Sequence, residues 1–346
     1  VQLHRNALKF AYASALVGKP LISVIVTAYN RKEFLSQAVS SALRQTLPRE
    51  FYEVIVVKNF EERKIDRWLE ESGVRSILSE APEQGEHLAA ALEESKGEVL
   101  SFLDDDDMFS GGKLEAVRSA FEREGVVFHR NRRAFINAGG RLIGGEAARP
   151  AFQARGSDPG ALRKLIGLGM GVNSSAMSIR RSALDAIGVE RFRKIKLAVD
   201  SLYFVASLLQ GGILVYDPHL LTLYRVHGKQ SYIVTESLHA YAKKRCESAK
   251  DYESDYEELM KIVGNTPYEV VVKPILIRSR VAGAVFCPSE NGPTIREVAY
   301  LIKQSKKMGM GNKGLLLLLG LVAAYILPPL RSIARRTEYE LNKAIR

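Results

Sequence analysis

The sequence predicts an α/β protein: a mostly parallel central sheet flanked by helices, with a helical C-terminal extension. Three observations carry this. Over the first 130 residues short apolar runs alternate with amphipathic stretches. Four consecutive aspartates stand directly behind one apolar run. From about Val234 onward the pattern is mostly helical. Strand–helix alternation of this kind places a sheet between layers of helices, and ligands on such sheets gather where strands end at their carboxyl side.

Each element has its own signal. Residues 21–27 (LISVIVT) form a continuous apolar run of strand length, and 53–57 (EVIVV) form a second. Between them, 33–45 put Phe34, Ala38 and Ala42 on one side of a helix. Residues 62–72 are helical and close on Gly73. A short strand at 75–79 and a helix at 85–95, ended by Gly97, lead to the strand 99–103 (VLSFL), which runs straight into Asp104. A helix starts near Gly112 or Lys113. The middle of the chain is less regular. Residues 126–137 and 141–143 read as strands around the turn Ala138-Gly139-Gly140, and 150–171 are Gly-rich and irregular. Residues 173–179 form a strand, 181–187 a short helix closed by Gly188, and 200–210 a helix. Two further strands follow at 213–216 and 220–226.

The chain has 346 residues, 46% hydrophobic and 26% charged, which excludes a disordered or collagen-like protein. Its two cysteines, Cys246 and Cys287, lie far apart. No CxxC pair exists for a thiolate zinc site, a disulfide framework is not expected, and a reducing compartment is the natural reading. GxxxxGK[ST] is absent, which excludes a P-loop, and no GxGxxG follows the first strand. Residues 8–17 are too short for a secretory leader and include Lys9.

The net charge is +11, but it is not spread evenly. Residues 301–346 hold nine basic side chains against Glu338 and Glu340. The excess flanks an uncharged run at 314–330, GLLLLLGLVAAYILPPL, which Pro328 and Pro329 end. As a helix this run is roughly 26 Å long, at the short end for a bilayer span. Basic flanks suit anionic lipid headgroups. The expectation is a membrane-associating tail at 313–346 that either spans or lies in the interface; a buried core helix is the alternative. Nucleic acid is not an expected partner, because little net charge remains outside the tail.

Asp104-Asp105-Asp106-Asp107 is the strongest single feature. Four adjacent carboxylates behind a buried strand repel one another and call for a counter-cation. Mg²⁺ and Mn²⁺ take oxygen ligands of this kind together with substrate phosphates. A solvated acidic turn capping the next helix is the plainer alternative. Gly85 could let backbone approach a ligand closely. His227 follows a strand, and Asp200 opens an apolar helix, where an N-cap role is the plain reading.

Together these pieces resemble the family 2 glycosyltransferases, which use the GT-A fold. The resemblance covers about residues 21–231. ISVIVTAYNR looks like the family's opening strand and nucleotide-binding turn, and EVIVV like its second strand. The stretch from Gly85 to Val99 looks like the helix leading into the acidic motif. FLDDDDMF resembles the DXD segment. VNSSAMSIRRSALDAIG resembles the stretch before the catalytic acid, and Val199-Asp200 with LLTLYRVHGKQS resembles the acid-plus-histidine end.

The resemblance implies roles. Thr27, Ala28 and Tyr29 hold base and ribose. Asn59, Gly85, Asp104, Asp105, Asp106 and Arg225 complete the nucleotide-sugar site. Asp106, Asp107 and His227 hold Mn²⁺ or Mg²⁺, and Asp200 is the general base of an inverting displacement. It also implies a UDP-sugar donor, with a GDP-sugar as the other option, and a glycan or polyprenyl-linked acceptor at the cytoplasmic membrane face. Transfer to a polyprenyl phosphate is one alternative; sugar-nucleotide binding without turnover is another. Two departures stand out. Lys58-Asn59 replaces the family's acidic pair after the second strand, and Val199 stands where Glu is common. The expected division is a transferase domain at 1–232, with a donor half at about 20–130 and an acceptor half at 131–232. A helical extension at 233–312 and the tail follow.

Overall fold

A computed structural model describes residues 21–227, 237–287, 292–308 and 310–343. The stretch at 8–17, read above as too short for a secretory leader, lies outside them. The order is β1 (Ile22–Ala28), α1 (Leu35–Leu43), β2 (Tyr52–Lys58), α2 (Arg63–Glu71), β3 (Arg75–Leu78), α3 (Gln84–Glu94), β4 (Val99–Asp104), β5 (Met108–Phe109) and α4 (Lys113–Phe121). Then come β6 (Val126–Asn137), β7 (Leu142–Gly145), β8 (Phe152–Arg155), α5 (Pro159–Gly167), β9 (Met177–Arg180), α6 (Arg181–Ile187), α7 (Val189–Phe192), α8 (Val199–Gln210) and β10 (Ile213–Val226). The chain continues with α9 (Leu238–Val263), α10 (Glu269–Phe286), α11 (Ile295–Lys307), α12 (Asn312–Ile326) and α13 (Arg331–Lys343).

The strands form one sheet in the order β3-β2-β1-β4-β9-β6-β10-β5, with β7 beside β6 and β8 beside β10. The expected α/β architecture is present, and the mostly parallel sheet is mixed rather than purely parallel. The half from β3 to β4 is parallel throughout. From β9 onward antiparallel pairs enter, because β9 runs against both β4 and β6. The period-two alternation of strand side chains sorts each strand between two cores. Ile25, Ile55 and Val57 face α3, α6 and α8. Val24, Val26, Val54 and Val56 face α1, α2 and α4. Each such aliphatic side chain, fully buried, contributes roughly 1.5–3 kcal/mol.

Local expectations are corrected in several places. Residues 150–171 are not irregular: they contain β8 and α5, with Pro159 at the helix start and Asp158 accepting a bond from the Gly160 N–H. The stretch 173–179 begins as a 3-10 turn over Ser174–Ala176 before β9. The two strands read at 213–216 and 220–226 are one strand, β10, with register shifts around Asp217, Leu220 and Thr222. Pro218, which has no N–H to donate, sits inside that bulge.

The C-terminal helices pack in two directions. Tyr256, Leu259, Val263, Val272 and Leu276 join the core under α8. Tyr241, Ile277, Val281, Val285, Leu301, Leu318 and Val322 form a third cluster, which α12 shares with α9, α10 and α11. The run at 314–330 is therefore core on one side only: Leu318, Leu321, Val322 and Ala324 are buried, while Leu316, Leu317, Leu319, Ile326 and Leu327 are exposed. Among the described residues no helix is long and apolar enough to cross a membrane. The expectation about the cysteines is overturned. Cys246 and Cys287 form a disulfide, their Cα atoms 5.2 Å apart across a sequence separation of 41. The hairpin of α9 and α10 returns the chain to the same level, which spacing in the sequence alone does not reveal.

Candidate functional site

The site lies at the carboxyl ends of β1 and β4. Thr27 pairs with Asp104, and Ala28 with Lys58, so the register sets the acidic loop beside the turn after β1. Asp104, Asp106 and Asp107 each bring one carboxylate oxygen within 4.8 Å of the others. The backbone closes this turn, with the Asp107 N–H donating to the Asp104 carbonyl at 3.2 Å. Ser175 Oγ accepts from the Asp104 N–H at 3.0 Å. Asp107 accepts from the Arg225 N–H at 2.9 Å. Asp106 Oδ2 receives Arg31 Nη1 at 2.9 Å and lies 3.1 Å from His227 Nε2.

The electrostatics follow from crowding in a low dielectric. Burial, then the charges of Asp106 and Asp105, pushes Asp104 up to about 7. Burial, then Asp106 and Asp104, pushes Asp107 up to about 8. Burial also raises Asp105 to about 7, although Arg31 opposes it. Oxygen donors packed this closely, with raised proton affinity, are the donor set that a hard divalent cation suits.

Asp200 sits in the first turn of α8, facing this loop closely enough for its charge to raise Asp104 further. It is not the N-cap, which is Ala198. Its carboxylate accepts from the Asn173 N–H at 3.2 Å and the Ser201 N–H at 2.7 Å. Asn173 holds a positive φ of 68° to present that N–H. Burial raises the Asp200 pKa, and those two backbone donors partly oppose it.

Comparison with known proteins places this geometry. The family described as glycosyl transferase family 2 matches residues 23–188. Over these residues, a little under half of the chain, the sequence is similar to that family. Glycosyltransferase AglE of Haloferax volcanii is 34% identical over 93 residues, 25% of this chain and 31% of that protein. The putative teichuronic acid biosynthesis glycosyltransferase TuaG of Bacillus subtilis is 30% identical over 112 residues, 28% of this chain and 40% of that protein. The matched stretch thus spans less than half of either relative. Among solved structures, S. aureus TarS 1–349 with UDP-GlcNAc shares the fold at a TM-score of 0.53 and 15% identity, covering 92% of this chain and 91% of that one. Mannosyltransferase PcManGT of Pyrobaculum calidifontis, in complex with GDP-Man and Mn²⁺, does so at 0.53 and 16%, covering 98% and 93%.

Within this geometry the expected site residues divide. Asp104, Asp106, Asp107 and His227 converge, with Asp200 facing them. Thr27 and Asp104 line a small crevice with Gln84, Ser174 and Tyr203. Tyr29 stands exposed at the rim, its ring 5.8 Å from that of His87. Others point elsewhere. The Asn59 amide is engaged with Asn30, accepting from its N–H at 2.8 Å and donating to its Oδ1 at 2.9 Å. The close approach that Gly85 permits is to the chain itself: a Cβ there would lie 1.8 Å from the Phe192 carbonyl oxygen. Arg225 is fully buried, with Nε donating to the Asp106 carbonyl at 2.7 Å and Nη1 to the Ala138 carbonyl at 2.8 Å. It braces the acidic loop from below. Lys58 does not reverse the charge of the site either: it is buried, bonded to the Phe60 carbonyl at 2.7 Å and to Asp66 at 2.9 Å.

Four contributors escaped the sequence reading. Arg31 pairs with the loop. Asp66 neutralises Lys58. Lys113, fully buried, donates to Asn131 Oδ1, the Ser175 carbonyl and Thr222 Oγ1 beneath the loop. Asp255 of α9, also fully buried, accepts from the N–H groups of Lys196, Leu197 and Ala198 at 2.7–2.9 Å, just before Asp200. The YNRK stretch held a usable hint for Arg31, a cation at the carboxyl end of a strand beside a predicted acidic site. The other three carry no sequence signal, because their partners are distant in the chain.

Proposed function

We propose that this chain transfers a sugar from a nucleotide-sugar donor to an acceptor hydroxyl with inversion at the anomeric carbon. The carrying observation is the convergence of Asp104, Asp106 and Asp107 at the strand ends with Asp200 facing them. Asp104, Asp106 and Asp107, with His227 beside Asp106, would hold Mn²⁺ or Mg²⁺, which when bound neutralises charge on a leaving diphosphate. Thr27 and Tyr29 flank the nucleoside, while Ala28 between them is fully buried in the core and has no surface for it. Asp200 accepts the proton of the acceptor hydroxyl as its oxygen bonds to the anomeric carbon. The bond from that carbon to the nucleoside diphosphate breaks on the opposite face. A raised pKa makes Asp200 a better proton acceptor than an ordinary carboxylate. UDP-sugars come first and GDP-sugars second; the structural neighbours were captured with one of each.

The acceptor is a glycan or a polyprenyl-linked molecule, and the exposed leucines of α12 with their basic flanks favour attachment at a membrane face, the cytoplasmic one being implied by the resemblance alone. The Cys246–Cys287 bond is the observation that weighs against a reducing compartment, and alkylation of thiols in intact cells reads it directly. Binding without turnover loses its motive, since Asp66 neutralises Lys58. The test is Asp200→Asn, assayed for sugar transfer and for donor binding. Loss of about 10²–10⁴-fold in rate with donor binding retained supports a general base. Retention of most of the rate points instead to an acceptor that is already an anion, such as a polyprenyl phosphate.

A further inference from the structure

We propose that Arg31 is the internal counter-ion of the acidic loop and that a divalent ion must displace it from Asp106 to bind. This deepens the metal assignment above and rests on it. Arg31 follows β1 by three residues and reaches across to the loop after β4. Nη2 lies 2.5 Å from Asp105 Oδ1, Nε donates to Asp105 Oδ2 at 3.3 Å, and Nη1 lies 2.9 Å from Asp106 Oδ2. The two carboxylates it touches play different parts. Asp106 belongs to the group whose oxygens converge for a cation; Asp105 does not. One arm of the guanidinium therefore rests on a carboxylate outside that group, and the other, alongside His227, rests on a carboxylate inside it.

Burial works against the Arg31 charge, yet Asp105 and Asp106 more than offset it, so its pKa is raised. The side chain keeps about 29% exposure, which leaves it room to withdraw. Asp105, held by a fork of two hydrogen bonds, anchors Arg31 while Asp106 is released. Metal and guanidinium then compete for one carboxylate, and removing the guanidinium removes a cost that metal binding otherwise bears. Arg31 would thus set how much free metal the protein needs, while keeping the metal-free loop from carrying four uncompensated carboxylates.

The experiment titrates Mn²⁺ without nucleotide, following free Mn²⁺ by electron paramagnetic resonance, on wild type, Arg31→Gln and Arg31→Lys. Thermal melts of each are taken with and without Mn²⁺. Losing one charged hydrogen bond to Asp106 predicts that Arg31→Gln binds Mn²⁺ about tenfold tighter. It also predicts a lower metal-free melting temperature and a larger rise on adding Mn²⁺. Arg31→Lys, a point charge without the fork, falls between, and carries the test if the Gln variant does not fold. Wild type and variants binding Mn²⁺ equally, or the variants binding more weakly, overturns the displacement while leaving the metal site standing. No Mn²⁺ binding by any of the three overturns both.

Discussion

At the residue scale the acidic loop works because several distant side chains share the burden of holding it. Asp104, Asp106 and Asp107 face one another only because Ser175, Arg225 and Lys113 brace the turn from beneath. A second buried pair lies behind this frame. His129 Nε2 lies 3.2 Å from Asp217 Oδ2, at the bulge of β10. Burial alone would raise Asp217, but the hydrogen bond from His129 and the His219 N–H bring it down to about 2. A folded pKa below the usual value of 3.8 gives stability that is present above that value and is lost as pH falls through about 2. The shift corresponds to about 2 kcal/mol. Urea unfolding at stepped pH should show Asp217→Asn less stable than wild type near neutrality. The gap should close as pH approaches the acid limit; a gap constant with pH would contradict this. The loop acids and Asp200 were legible in the sequence, because four aspartates behind VLSFL are chemically conspicuous. Arg225 was legible as a site residue but not in its role: nothing in LYRVHG tells whether a guanidinium faces ligand or carbonyls.

At the element scale the parallel half of the sheet was the most legible part. Its strands are short apolar runs punctuated by glycine, and each burial pattern is settled locally. The bulged β10 and the strand in 150–171 were not, because their pairing partners supply the order. The long helix α9 was legible as helix but not as a positioning element. Asp255 sits in a run rich in charged residues, yet it is 0% exposed and collects three backbone N–H groups at the entrance to α8. Removing it strips three backbone donors of this partner, Ala198 buried and Lys196 and Leu197 partly so. Asp255→Ala should therefore cost about 3 kcal/mol or more in denaturant unfolding. It should also lower transfer rate with little change in donor affinity, since it shifts α8 and Asp200 rather than the acidic loop. A variant of unchanged stability would show that the carboxylate does not cap this segment.

At the scale of the whole molecule the chain joins a transferase sheet to a helical unit whose outer side is unusual. Leu316, Leu317, Ile326, Leu327, Ile333 and Leu341 are exposed near Lys313, Arg331 and Arg336. Leu316 is 71% exposed and Leu317 51%, so water contacts a surface that an acyl boundary would suit better. The sequence showed the apolar run but not that one side of it belongs to the core, because that depends on where α10 and α11 lie. Sedimentation with vesicles should show binding to phosphatidylglycerol-containing membranes, weaker binding to phosphatidylcholine alone, and loss in a Leu316→Glu/Leu317→Glu double variant. Equal recovery with and without anionic lipid would contradict the charge-assisted part. The most direct test of the central claim is a calorimetric titration of UDP and GDP with and without Mn²⁺, on wild type and Asp106→Ala. Binding of one nucleotide that requires Mn²⁺ and disappears in Asp106→Ala is the predicted result. Binding that is indifferent to both metal and Asp106, or none by either nucleotide, would contradict a metal-dependent donor site at the acidic loop.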